Sequence, residues 1–192
     1  MELFDPKGNR KYLTATERKK FEQAALNLED NQVRTFCLML LYSGCRISEA
    51  LNLLIKGVDC SAGAATFETL KKRKKGVFRQ VPLPPDYLDA LNLVFDLRKH
   101  QKNPKMKNER VWKFSRKTAS RRVDEVMQAA GLEGIHACPK GLRHAFAIHC
   151  LEKQIPLNLV SKWMGHSSLE VTAIYANALG EEERSIASRL WA

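Results

Sequence analysis

A chain of 192 residues with 44% hydrophobic side chains can bury one ordinary core, or a core plus a short arm, and no apolar stretch in it approaches the length that spans a bilayer. Its formal charge of +11 makes a polyanion the expected partner, and charge alone leaves DNA, RNA and an anionic membrane surface all open. The N-terminus, MELFDPKGNRKYL, is not a signal peptide, and the five cysteines, Cys37, Cys45, Cys60, Cys138 and Cys150, fit neither a CxxC metal clip nor a disulfide framework. Reduced thiols in a cytoplasmic protein without a metal site are therefore expected.

Taken in chain order, Thr14 followed by Glu17 is a capping box that opens a helix running to about Leu28, with Phe21, Ala24, Ala25 and Leu28 as its buried face. The apolar run FCLMLLY marks a second helix over about Asn31–Tyr42, ended by Gly44 in a left-handed cap. Arg46 opens a short helix, RISEALNL, with Ile47, Ala50 and Leu51 toward the core and with Arg46 and Glu49 sharing a face, so that Glu49 can orient the arginine. From Gly57 to Pro82 the texture becomes β-prone: ATFETL and VFRQVPL read as strands, with the basic run Lys71–Gly76 as the hairpin tip. Helices resume over about Pro85–His100 and Thr118–Ala130, separated by a polar, basic loop that includes Gln101–Asn108. Four more are expected over about Pro139–Lys153, Leu157–Met164, Ser167–Ala178 and Glu181–Leu190, the third opened by a second capping box, Ser167 with Glu170. The expected fold class is mainly α with a small antiparallel β-sheet or hairpin, residues 1–12 forming an N-terminal arm and residues 13–192 one domain.

The chemistry-bearing residues gather in the C-terminal third. Arg143 in PKGLRHAFA is followed by His166 and Tyr175 in MGHSSLEVTAIYANAL, which supplies a guanidinium, an imidazole and a phenol in that order. A phenol is an unusual nucleophile, suited to phosphorus where the bond to the protein must later be broken by another hydroxyl. Attack on a phosphodiester builds negative charge on the non-bridging oxygens, and two arginines, Arg46 and Arg143, are placed to clamp them. The small neighbours Ala173, Ala176 and Ala178 are expected to leave the Tyr175 phenol accessible. His144, next to Arg143 and so pointing away from it around a helix, reads as structural or as a supporting hydrogen bond, and Trp163 as a core anchor. Arg116, Lys117, Arg121 and Arg122, beside Ser115, Thr118 and Ser120, suit contacts to phosphates; a solvated basic helix face is the alternative.

Four segments in this order, SGCRISEALNL, LKKRKKGVFRQVPLP, PKGLRHAFA and MGHSSLEVTAIYAN, resemble the boxes of the tyrosine recombinases, the phage integrase family, and Tyr175 lies nine positions after His166. The resemblance runs from about Leu13 to the C-terminus. It implies the catalytic-domain fold of that family and a site-specific recombinase of the integrase, resolvase or invertase type, which breaks and rejoins DNA through a 3′-phosphotyrosine without metal, nucleotide or other cofactor. Carried over residue by residue, it implies Arg46 and Arg143 as the phosphate clamp, His166 as a donor to a phosphate oxygen and Tyr175 as the nucleophile. It further implies Lys74 as the acid that protonates the departing 5′ oxygen, Lys72 and Lys75 as neighbouring DNA contacts, and Glu49 as the buttress of Arg46.

One box departs from the family's pattern. Where the family usually reads His-x-x-Arg, this chain has Lys140, whose ammonium can donate to a phosphate oxygen in the site but cannot serve as a neutral base near pH 7. The resemblance also implies double-stranded DNA as partner and a homotetramer on DNA that exchanges C-terminal segments, with EEERSIASRLWA as the segment, and a monomer possible without DNA. Most relatives carry an additional N-terminal helical domain, which is not expected in this chain. The alternatives are a DNA-binding module of the same fold without strand cleavage, and relaxation of the type IB topoisomerase kind.

Overall fold

A computed structural model describes residues 2–70, 76–177, 184 and 187–191. The hairpin tip expected at Lys71–Gly76 lies outside these except for Gly76, as does most of the helix expected over Glu181–Leu190, of which Ser188–Leu190 forms a 3-10 turn.

The first three helices form where local chemistry calls for them. Helix α1, Ala15–Leu26, opens on the expected capping box: Thr14 Oγ1 accepts from the Glu17 backbone, and the Glu17 carboxylate accepts from the Thr14 backbone. Helix α2, Asn31–Ser43, is capped by the Asp30 carboxylate and buries nine of its residues, which makes it the axis against which α1 and the helices over Pro85–Phe95 and Pro139–Glu152 pack. It stops at Gly44 in the left-handed region (φ 58°). A Cβ there would lie 2.4 Å from the Phe146 ring, so glycine is required for both conformation and space. Arg46 then caps α3, Ile47–Leu51.

A three-stranded antiparallel sheet follows in the order β1 (Val58–Asp59), β2 (Ala64–Glu68), β3 (Phe78–Pro82), with Phe67 opposite Arg79. In β3 the period of two turns Arg79 and Val81 inward and leaves Phe78, Gln80 and Pro82 exposed.

Three expected elements differ from the structure. The helix expected over Pro85–His100 is two, α4 (Pro85–Phe95) and α5 (Leu97–Gln101), broken at Asp96 with φ 48°. The break is held by the Asn92 side chain, which accepts from the Arg98 backbone, and it turns Leu97 fully into the core. Within the expected loop, Met106–Asn108 make a 3-10 turn on the Asn103 side chain. The helix expected over Ser167–Ala178 shrinks to α9, Glu170–Ala173, followed by a 3-10 turn over Ile174–Asn177. The Ser167–Glu170 capping box does not form: Leu169 occupies the cap position and gives no side-chain hydrogen bond.

Helix α6, Arg116–Ala129, starts two residues before the expected position because Ser115 Oγ accepts from the Thr118 backbone. Helices α7 (Pro139–Glu152) and α8 (Leu157–Met164) match their expected spans closely, and Gly165 ends α8 with φ 63°.

The apolar interior divides into two clusters. The larger surrounds α2 and includes Phe36, Leu40 and Trp112; the smaller joins α7 and α8 to Leu3, Tyr12 and Tyr175. Residues expected as an arm are therefore packed: Phe4 and Arg10 form an antiparallel bridge, and Leu3 and Tyr12 are buried. No helix among the described residues is long and apolar enough to cross a membrane.

Candidate active site

A cleft of about 800 Å³ opens where the starts of α3, α6 and α7 meet the loop after α8, and its lining includes Arg46, Ser48, Arg116, Lys140, Arg143 and His166. Arg46 reaches it from the N-terminus of α3 with its side chain 25% exposed. Its guanidinium lies 2.8 Å from Glu49 Oε1, and its backbone N–H donates to Glu49 Oε2 at 2.8 Å. The expectation that Glu49 supports Arg46 thus corresponds to two contacts, one fixing the side chain and one fixing the start of the helix.

Glu49 is itself fully buried, and Arg46 is not its sole counter-ion. Arg79, on the inward face of β3, donates to Glu49 Oε2 at 2.6 Å, to Thr69 Oγ1 at 3.1 Å and to the Trp163 carbonyl at 2.6 Å, with its guanidinium over the Phe67 ring. Burial raises the Glu49 pKa, but the hydrogen bond and charge of Arg79, with those of Arg46, outweigh it and leave the carboxyl below its ordinary range. Arg79 escaped the sequence reading. The signal was present in VFRQVPL, where an arginine two positions before Val81 shares its inward face.

Arg143 is buried within α7. One terminal nitrogen donates to the Gly44 carbonyl and the other to the Met164 carbonyl, both at 2.6 Å, while Nε has no partner among the described residues. Its fork is thereby pinned between the end of α2 and the end of α8, with one hydrogen on each terminal nitrogen still to offer. Burial and the neighbouring Arg46 charge bring its pKa down to about 10, so it remains a cation near neutral pH.

His166 follows the left-handed turn at Gly165. Its Nδ1 lies 2.8 Å from Thr172 Oγ1, and its buried Nε2 has no partner among the described residues. Burial first, then the charges of Arg143, Arg46 and Arg79, hold its pKa down at about 4, so the ring is neutral at pH 7.

Tyr175 overturns the expectation of an accessible phenol. It is 2% exposed and belongs to the smaller apolar cluster with Phe146, Val160 and Met164. Its ring lies parallel to that of His166 with centroids 6.2 Å apart, and its hydroxyl is 3.1 Å from His144 Nδ1. Small neighbours in the sequence did not expose it, because the packing partners come from α7 and α8 rather than from its own turn. Burial pushes the phenol up to about 12 against the opposing charges of Arg143 and Arg46. It is absent from the cleft lining and sits behind the wall that His166 forms.

The remaining candidates separate. Lys140 is exposed on the cleft rim one turn before His144. Of the α6 cluster, Arg116 lines the cleft and hydrogen-bonds Ser48, while Lys117 is exposed and outside the lining. Arg121 and Arg122 both pair with Glu125, at 3.6 and 3.0 Å. Lys72, Lys74 and Lys75 lie outside the described residues. Among the described residues no group of three His, Cys, Asp or Glu is arranged to hold a metal ion.

Known proteins share this arrangement of elements. The chain is 29% identical over 185 residues to the tyrosine recombinase XerA of Pyrococcus furiosus, covering 96% of this chain and 63% of the relative. It is 30% identical over 191 residues to the tyrosine recombinase XerD of Caulobacter vibrioides, covering 92% and 61%. It thus spans about three fifths of the length of these curated relatives. Among solved structures, a XerA recombinase superposes with a TM-score of 0.76 at 25% identity over 93% of this chain and 64% of that one. The XerH site-specific recombinase bound to its difH substrate gives 0.71 at 20% identity over 98% and 60%. The catalytic domain of bacteriophage HP1 integrase gives 0.65 at 22% identity over 92% and 93%. The phage integrase family profile matches residues 11–182, nearly the whole chain, and the chain belongs to that family.

Proposed function

We propose that this chain is the catalytic domain of a site-specific DNA recombinase that breaks and rejoins strands through a 3′-phosphotyrosine. The observation that supports this best is one cleft bounded by Arg46, Arg143 and His166, with a tyrosine packed directly behind the histidine. The scissile phosphate of a DNA duplex sits between the two guanidinium groups, which draw charge from its non-bridging oxygens. With the Thr172 hydroxyl donating to Nδ1, neutral His166 carries its hydrogen on Nε2 and gives it to a phosphate oxygen. Lys140 and Arg116 contribute charge at the rim.

Tyr175 attacks phosphorus, its oxygen forms the new P–O bond, and the bond to the 5′ oxygen breaks, with Lys74 protonating that oxygen. The 5′ hydroxyl of a second strand later reverses these steps. The phosphoester energy is kept in the covalent bond, so no nucleotide is consumed. Because Tyr175 starts behind the cleft wall, the short α9 and the 3-10 turn must shift to bring it forward. Four protomers on two duplexes are the assembly this chemistry requires for exchange.

The test uses a duplex selected from a randomised pool by binding to the protein, then nicked beside the cut so that the released end diffuses away. The wild type is expected to form a denaturant-resistant protein–DNA adduct, and Arg143→Ala to lower its yield by roughly 100-fold or more. Tight binding without an adduct would replace this reading with that of a DNA-binding module. Adducts on any sequence, with plasmid relaxation, would replace it with a topoisomerase.

A further inference from the structure

We propose that His144 is the proton acceptor for Tyr175 in this chain, taking up one helical turn along α7 the work that Lys140 cannot do. The inference rests on the recombinase reading of the site. A phenol that attacks phosphorus must lose its proton, and the acceptor needs a lone pair within hydrogen-bond reach. Lysine's ammonium offers three donors and no acceptor. Lys140 also stands exposed on the cleft rim, whereas Tyr175 is buried. His144, at i+4 from Lys140 on the same helix, is fully buried, and its Nδ1 is 3.1 Å from the Tyr175 oxygen. His166, the other imidazole beside that ring, has its Nδ1 engaged by Thr172.

The groups facing His144 explain why it waits in the neutral form. Burial first, then the charges of Lys140 and Arg143 on its own helix, His166 beyond α8 and Lys11 on the N-terminal segment, hold its pKa near 3. The free protein therefore keeps an unprotonated ring against the hydroxyl. A phosphodiester entering between Arg46 and Arg143 brings negative charge to this cationic neighbourhood and makes protonation of His144 easier. Proton acceptance is thus coupled to the presence of substrate.

The step balances. With the phenol still at its resting contact, the Tyr175 O–H bond breaks and its proton passes to His144 Nδ1, giving an imidazolium, and the phenolate then moves forward with α9 and the 3-10 turn. The oxygen pair forms the P–O bond, and the P–O5′ bond breaks as the departing oxygen takes a proton from Lys74. On rejoining, the incoming 5′ hydroxyl gives its proton back to Lys74 and its oxygen forms the P–O5′ bond, the bond from phosphorus to the Tyr175 oxygen breaks, and His144 returns its proton to the phenolate.

The experiment compares adduct formation on the nicked duplex by wild type, His144→Ala and His144→Asn, with DNA affinity measured for each as the control for folding. Asparagine offers an acceptor oxygen near the Nδ1 position but no basic lone pair. Both variants are expected to bind DNA within about threefold of wild type and to cleave at least 100-fold more slowly, within the range general-base catalysis supplies. Added imidazole is expected to restore His144→Ala by tenfold or more. Cleavage by His144→Asn within threefold of wild type would overturn the proposal and leave His144 as a mere contact. Cleavage faster than wild type would overturn it in favour of a restraint on Tyr175. Loss of DNA binding by both variants, or no restoration by imidazole, would make the residue structural. No adduct from the wild type would instead overturn the recombinase reading itself, and the proposal with it.

Discussion

Glu49 has no exposure to solvent, yet carries a charge, and that is tolerable only because Arg46 and Arg79 both donate to it. Arg79 goes further than neutralisation. Its three nitrogens tie together Thr69 just past the end of β2, α3 at Glu49 and the end of α8 at Trp163, which are the supports of the sheet, of Arg46 and of His166. Removing it leaves a buried carboxylate with one partner and frees two further acceptors. Arg79→Met is expected to cost about 3–5 kcal/mol of unfolding free energy, read from urea titration. Arg79→Lys keeps the charge but cannot bridge three acceptors, so it is expected to fold and to cleave more slowly by about 10-fold or more. Wild-type stability of the Met variant would show that Arg46 alone suffices.

Among the elements, Gly44 is constrained both by its left-handed backbone and by the Phe146 ring beside it. An alanine there needs a left-handed conformation, worth about 1–2 kcal/mol, and must displace the Phe146 ring. Gly44 also supplies the carbonyl that holds Arg143, so Gly44→Ala is expected to lose about 2–4 kcal/mol of stability and to slow cleavage together. Helix α6 allows a comparison of two arginines on one element. Arg116 faces the cleft, whereas Arg121 faces Glu125. Arg116→Ala is expected to weaken DNA binding and to reduce its salt dependence by about one phosphate contact, with Arg121→Ala near neutral; equal effects would contradict the assigned faces.

These elements also show where sequence reasoning reached and where it stopped. The Thr14–Glu17 box, Gly44 and the apolar run of α2 are local signals and gave their elements correctly. Asp96 has no comparable signal: an aspartate inside a helical pattern enters the left-handed region because doing so buries Leu97, a tertiary gain. Ser167–Glu170 had the spacing of a box, but the chain around it follows the packing of Tyr175 into α7 and α8 instead. For the site, Arg46, Lys140, Arg143 and His166 were named from the motifs that carry them, and all four line the one cleft. The buried phenol and the role of Arg79 were not legible, because both depend on partners distant in the chain.

For the whole molecule, a net charge of +11 sits beside three histidines held neutral. Burial and nearby cations bring His144 to about 3, and His149 and His166 to about 4, from an ordinary 6.5. Because these folded-state values are depressed, the unfolded chain takes up the protons first. Stability is fully present above about pH 6.5 and falls as the pH drops toward 3. At pH 5 the loss is expected to be roughly 1.4 kcal/mol per pH unit for each of His144 and His166, and less for the partly exposed His149. Glu17, drawn down from 4.5 to about 2 by Arg10 and Thr14 against its burial, adds a further loss only below about pH 4.5. Urea titrations at pH 7.5, 6 and 5 read the histidine contribution directly, and unfolding free energy constant between pH 7.5 and 5 would contradict the burial of His144 and His166.

The central claim is that a phenol now packed behind His166 becomes the atom joined to DNA. The measurement that bears on it most directly is mass spectrometry of the peptide left on the 3′ end of the cut strand after proteolysis of the trapped complex. A single nucleotide-bearing peptide containing Tyr175, lost in Tyr175→Phe while DNA binding persists, is the expected result. Attachment at another residue, or an adduct that survives the substitution, would contradict the account.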